Sequence, residues 1–250
     1  MRLLPRIAFT VPSRLHQNLE DVRGRIASAR ERGAHAAREV RLMVVTKSAP
    51  ADVFGLLGPV GVVDIGENRV QDAAERRPAA PEGLTWHGIG HLQRNKAARA
   101  VDLFDVYHAL DSRRLAGRLE GLLADAGRRW PVYIQVNAAT DPAKGGFAPE
   151  ETIAFVKELA ELPHLACRGF MTMGRLGADE SDARAAFRLL REVRDDAVRL
   201  GVGDEEPEGL SMGMTDDYEW AVEEGATIVR VGRAIFEGVF DESDAGEPRT

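Results

Sequence analysis

The chain has 250 residues, 44% of them hydrophobic, and a formal net charge of -7. That length supports one large core, while the acidic balance, with no Lys/Arg block interleaved with aromatics, argues against a nucleic-acid partner. A single cysteine, Cys167, excludes an internal disulfide framework and any multi-cysteine metal site, and no apolar stretch approaches a membrane span, so a soluble, cytoplasmic protein is expected, with a monomer as the default although the sequence does not encode oligomeric state.

Residues 1–12 read as an N-terminal extension, because proline interrupts their short apolar patch and no secretory h-region follows. From Ser13, a candidate N-cap, the residues Leu15, Leu19, Val22, Ile26 and Ala29 recur at helical spacing up to Gly33. This is an extra helix ahead of the first strand. Arg41-Leu-Met-Val-Val-Thr-Lys47 is an apolar, β-branched run that ends on one amine and is stopped by Pro50. A lysine at the rim of a core loses hydration, which favours its neutral, nucleophilic form. Taken alone, the segment reads more simply as a strand whose terminal lysine turns its head to water.

After a short helical segment around Val53–Leu57 and the Gly58-Pro59 punctuation, Val60 to Gly66 reads as a second strand ending on Glu67 and Asn68. Leu84–Gly90 is a third, and Leu103–Leu110 a fourth, closed by Asp111-Ser112 as a helix cap. Trp130–Asn137 is a fifth, followed by a helix from Pro149 that Pro163 ends. Leu165–Met173 is a sixth, and its helix carries Ala183, Ala186, Phe187, Leu190 and Val193 on one face. Leu210–Met214, a helix over 216–224, Gly225 as its stop, and Thr227–Gly232 complete the pattern. Lys96, Arg99 and the arginines Arg184, Arg188, Arg191 and Arg194 read as solvated helix faces.

Strands alternating with helices in this way predict an α/β protein, a TIM-type (β/α)8 barrel over residues 13–240, with 241–250 as a polar, disordered tail. A doubly wound sheet lacks support, because no GxGxxG follows the first strand. Lys47, Asn68, Asn137, Ser211 and Arg233 all fall at carboxyl ends of predicted strands, the active face of such barrels. The loops after strands seven and eight, with Ser211, Thr215, Gly232 and Arg233, suit a phosphate; the bland alternative makes Thr215 an N-cap and the glycines turn residues. Arg230, between Val229 and Val231, needs a buried acceptor: either Asp64 or the ring nitrogen of a bound cofactor.

Taken together, Val45-Thr-Lys47, Gly66-Glu-Asn68, Trp86-His-Gly-Ile-Gly-His-Leu-Gln-Arg-Asn-Lys96, Gln135-Val-Asn137 with Lys144-Gly-Gly-Phe147, Leu210-Ser-Met-Gly-Met214 and Val229-Arg-Val-Gly-Arg233 closely resemble the pyridoxal phosphate homeostasis protein family. The resemblance implies a single-domain relative of the alanine racemase N-terminal barrel with fold-type III binding of pyridoxal 5′-phosphate (PLP). It implies that Lys47 forms a Schiff base with PLP, that Ser211, Thr215, Gly232 and Arg233 surround the phosphate, that Arg230 faces the pyridine nitrogen, and that Asn68, His87 and Met212 lie near the ring. The sequence departs from the family pattern at Gly88, where a bulky apolar residue is commoner, and at Thr215, where serine is commoner.

The implied function is a PLP-binding protein of vitamin B6 homeostasis without robust turnover, with PLP-dependent apoenzymes as acceptors. A guanidinium donating to the ring nitrogen disfavours its protonation and weakens the ring as an electron sink. The chain also ends shortly after the barrel, leaving no length for a second domain with an opposing acid or base. The alternatives are a weak PLP-dependent amino-acid racemase or a Schiff-base barrel aldolase, with Tyr107, His87 or His108 moving protons; each of these three reads more simply as a core residue.

Overall fold

The computed structural model describes residues 10–35, 39–47, 49–141, 144–175, 177–201 and 207–240. The expected terminal extension (apart from 10–12) and polar tail lie outside them. The eight expected strands form, as β1 (Arg41–Val45), β2 (Asp64–Glu67), β3 (Thr85–Gly88), β4 (Val106–Leu110), β5 (Trp130–Gln135), β6 (Leu165–Met171), β7 (Gly209–Ser211) and β8 (Ile228–Val231). All pair in parallel in sequence order, and β8 returns to β1 with Val44 opposite Val231, closing the barrel. Near-continuous apolar strands demand this arrangement, since both of their faces are covered.

The helices are α1 (Thr10–Arg32), α2 (Phe54–Leu57), α3 (Val70–Arg76), α4 (Ala97–Leu103), α5 (Arg113–Ala126), α6 (Pro149–Glu158), α7 (Glu180–Arg199), α8 (Tyr218–Glu223) and α9 (Arg233–Phe236). Their apolar faces bury Leu115, Leu119 and Leu123 on α5 and Ala183, Phe187 and Leu190 on α7 against the strands. Ser112 caps α5 by accepting from Leu115 N at 3.3 Å, and Gly127 ends it at φ +61°. The α1 helix buries Leu15 and Leu19 and is tied to the chain's far end by Asn18, which donates to Ile235 O and Glu237 O, both at 2.9 Å. Among the described residues no helix is long and apolar enough to cross a membrane.

Several boundaries differ from the sequence reading. Ser13 lies inside α1, which begins at Thr10; Pro12 falls in the first turn, where its missing N–H costs nothing. Val60 ends a 3-10 turn and Gly61 turns left-handed, so β2 starts only at Asp64. The α4 helix runs on through Leu103, which delays β4 to Val106. Gly213, at φ +90°, takes the chain out of β7 after Ser211.

Apart from the exposed Arg188, the α7 arginines are not a solvated face. Arg184, Arg188 and Arg191 all pair with Glu224, Arg184 also pairs with Glu223, and Arg194 is buried with Nη1 on Glu208 O at 3.0 Å. Arg32 on α1 takes Glu223 from the other side at 2.7 Å. The acidic end of α8 draws these cations together between two neighbouring helices, which sequence periodicity alone does not reveal.

Candidate functional site

The strand register gathers the site. Val45 pairs with Gly66, and Val44 with Val231, so Lys47, Asn68 and the Gly232-Arg233 loop share one arc of the carboxyl-terminal rim. A Cβ on Gly232 would stand 2.7 Å from Val45 O, so only glycine lets the loop after β8 lie this close to β1. Thr46 takes the last buried position, and the turn closed by Ala49 N on Thr46 O at 2.9 Å swings Lys47 outward. Lys47 is therefore exposed, which matches the solvated strand terminator of the two readings the segment left open.

Arg76 on α3 holds that turn, donating to Thr46 O at 3.0 Å, Ala49 O at 3.1 Å and Glu67 Oε1 at 2.6 Å. Glu67 is fully buried, also accepts from Thr46 Oγ1, and leaves Oε2 with no partner among the described residues. Burial pushes its carboxyl up from the ordinary range, against the pull of Thr46 and Arg76. No local spacing in the sequence marks Arg76 for this contact.

Arg230 points into the barrel, 4% exposed, with Nη1 on Ser211 Oγ and Nη2 on Thr172 O, both at 2.9 Å. It does not pair with Asp64. That carboxylate lies at the amino-terminal end of β2, where Arg41 on the neighbouring strand grips it and His87 reaches it at 2.8 Å. Burial brings the Arg230 guanidinium down to about 10, with Asp217 opposing the shift, so it stays charged at neutral pH. Among the described residues it gives two hydrogen bonds, and a guanidinium has five N–H donors.

The remaining expected residues divide. Ser211 Oγ is buried between Arg230 and His108, and Met212 is buried, with its N–H on Ile228 O at 3.1 Å. Thr215 is half-buried in the turn before α8, and Asn68 is exposed at the rim. Arg233 is exposed and paired with Asp216, which is exposed too, so an incoming anion displaces that carboxylate at little cost. Asn137 lies deeper in the loop after β5, its Nδ2 on Asp141 O at 2.9 Å.

His87 and His108 are both buried and linked ring to ring, Nδ1 to Nε2, at 2.9 Å. Tyr107 donates to Ala109 O at 2.9 Å, and burial drives its phenol well above the ordinary value. The departure at Gly88 has a local cause: a Cβ there would meet the Phe104 ring at 2.8 Å and the Tyr107 ring at 3.0 Å, so those rings fill the space a larger residue would take.

A parallel eight-stranded barrel with a rim lysine after β1 and a buried arginine in β8 is matched by the family described as alanine racemase, N-terminal domain, over residues 17–238. The pyridoxal phosphate homeostasis protein of Pseudomonas aeruginosa is 35% identical over 225 residues, 90% of this chain and 95% of that protein. The solved structure of PipY from Synechococcus elongatus PCC7942 without PLP is 32% identical, covers 89% of this chain and 99% of its own, and has a TM-score of 0.78. Its PLP-bound form is 31% identical at the same coverage, with a TM-score of 0.74. The chain belongs to the pyridoxal phosphate homeostasis protein family.

Proposed function

We propose that this protein binds PLP through Lys47 and holds it without robust turnover, buffering the cofactor within the cell and passing it to PLP-dependent apoenzymes. PLP supplies an aldehyde that condenses with a primary amine. The reading rests on one observation: β1, which leads to the exposed Lys47, pairs in parallel with β8, which carries the buried Arg230 opposite Met43. The donor set fits the cofactor. Lys47 presents the amine, Arg230 a donor to the ring nitrogen, and Thr215, the Gly232 backbone and Arg233 the contacts to phosphate. Since α9 has only four residues, its contribution is free N–H groups and not a macrodipole. Asn68 and Met212 would border the ring.

What these residues do supports holding rather than turning over. Arg230 remains a donor, and facing a ring nitrogen it would keep that nitrogen unprotonated and the ring a poor electron sink. Tyr107, His87 and His108 are each buried in hydrogen bonds of their own, so none is placed to exchange a substrate proton, as a racemase or aldolase requires. The similarity to a pyridoxal phosphate homeostasis protein and to PLP-bound PipY supports PLP binding. Titrating PLP into the protein tests it: a visible imine band develops in the wild type and is lost in Lys47→Ala. A wild type without the band, or rapid deuterium exchange at an amino acid's α-carbon, overturns it.

A further inference from the structure

Barrel interiors are filled by branched aliphatic side chains, yet this one carries a continuous polar line across five strands. Asp64 Oδ1 on β2 lies 2.8 Å from His87 Nε2 on β3; His87 Nδ1 lies 2.9 Å from His108 Nε2 on β4; and His108 Nδ1 lies 2.9 Å from Ser211 Oγ on β7. Ser211 Oγ in turn accepts from Arg230 Nη1 on β8 at 2.9 Å. Both imidazoles, Ser211 and Arg230 are buried, and the Tyr133 ring stacks on His108 at 4.2 Å and 9°, fixing its plane. The proposed cofactor chemistry uses only the last member of this line.

Donor and acceptor counting fixes its direction. A guanidinium only donates, so Ser211 Oγ is the acceptor there, and the remaining contact for its own hydrogen is His108 Nδ1. His108 must then carry its proton on Nε2 and give it to His87 Nδ1. His87 likewise carries its proton on Nε2 and gives it to Asp64, whose charge Arg41 balances at the barrel's amino-terminal end. The opposite assignment, with an imidazolium at His87, would aim His108 Nδ1–H at Ser211 and leave the serine hydrogen with no acceptor among the described residues. A buried hydrogen left unspent costs more than the bond it forgoes.

We propose that Asp64, His87, His108 and Ser211 are positioning residues for Arg230, forming a one-directional relay of neutral Nε2–H imidazoles that orients its guanidinium toward the mouth. Ser211 is thereby committed at both ends, and its hydroxyl is not a phosphate donor. Burial agrees, since it drives His108 well below the ordinary histidine value. The effect on the cofactor rests on the proposed PLP reading; the tautomers do not.

Nitrogen-15 NMR of the imidazole side chains in the full chain without cofactor, at neutral pH, should find both His87 and His108 neutral with the proton on Nε2. An imidazolium, or an Nδ1–H tautomer, at either residue overturns the relay, whatever PLP does. In Ser211→Ala, the His108 Nδ1 resonance should shift on loss of its donor, and PLP affinity should fall about tenfold, the value of one hydrogen bond to a charged group, with Lys47 still the site of attachment. Unchanged affinity in a folded Ser211→Ala overturns the positioning role. A wild type that never binds PLP sinks the cofactor reading and leaves the tautomer result standing as its own test.

Discussion

The Arg76 guanidinium lies 3.0 Å from the Thr46 carbonyl, so one side chain of α3 pins the turn that presents Lys47. The same guanidinium neutralises Glu67, which is fully buried. Removing it in Arg76→Ala strands a carboxylate in the layer between strands and helices, and stability should fall by about 3 kcal/mol in urea unfolding. PLP affinity should fall with it, because the Lys47 turn loses two of its anchors.

Glu67 also gives a sign that can be checked. Burial raises its folded pKa, so its contribution is fully present below the ordinary carboxylate value and is lost as pH rises through the raised value. In Glu67→Gln that loss is absent. The stability of the variant relative to wild type should therefore improve between acidic and neutral pH, as read from urea midpoints. A flat difference contradicts the assignment.

Glu223 has the opposite behaviour. Burial pushes its carboxyl up, but the hydrogen bonds from Arg184 and Arg32 outweigh it and leave the net value low. Its contribution is present above the ordinary carboxylate value of about 4.3 and is lost as pH falls through the folded value. Arg184→Met should reduce stability by about 1 kcal/mol at neutral pH and by less in acid, since the pair is partly solvated. Urea unfolding at the two pH values measures the difference.

Gly213→Ala tests the loop after β7. Its φ of +90° disfavours a side chain, and a Cβ would stand 2.6 Å from Ala221 Cβ and 2.9 Å from Tyr218 Cα on α8. A loss of about 2 kcal/mol is expected. PLP affinity should weaken too, because the turn holding Thr215 is braced by Met214 N on Asp217 Oδ1 at 2.6 Å and must shift with α8.

The barrel was legible because each strand is a short apolar run set off by turn residues, and the helix faces of α5 and α7 repeat at a period that no strand shares. Boundaries were less so. Val60 and Leu103 are apolar in either state, and only the left-handed Gly61 and the continued α4 decide them. Lys47 and Arg230 stood out by being charges at the end or middle of apolar runs. Their surroundings did not: whether Lys47 is buried depends on one turn, and the partner of Arg230 depends on which strands face each other across the barrel. The line from Asp64 to Ser211 joins residues up to 103 positions apart in a single contact, His108 to Ser211, which no local spacing encodes.

In the proposed function Lys47 is the amine that takes the cofactor. Borohydride reduction of the PLP-loaded protein, followed by peptide mass spectrometry, reads this directly. A single pyridoxyl adduct on Lys47 is the predicted result, whereas an adduct confined to another lysine, or none after loading, would contradict the account.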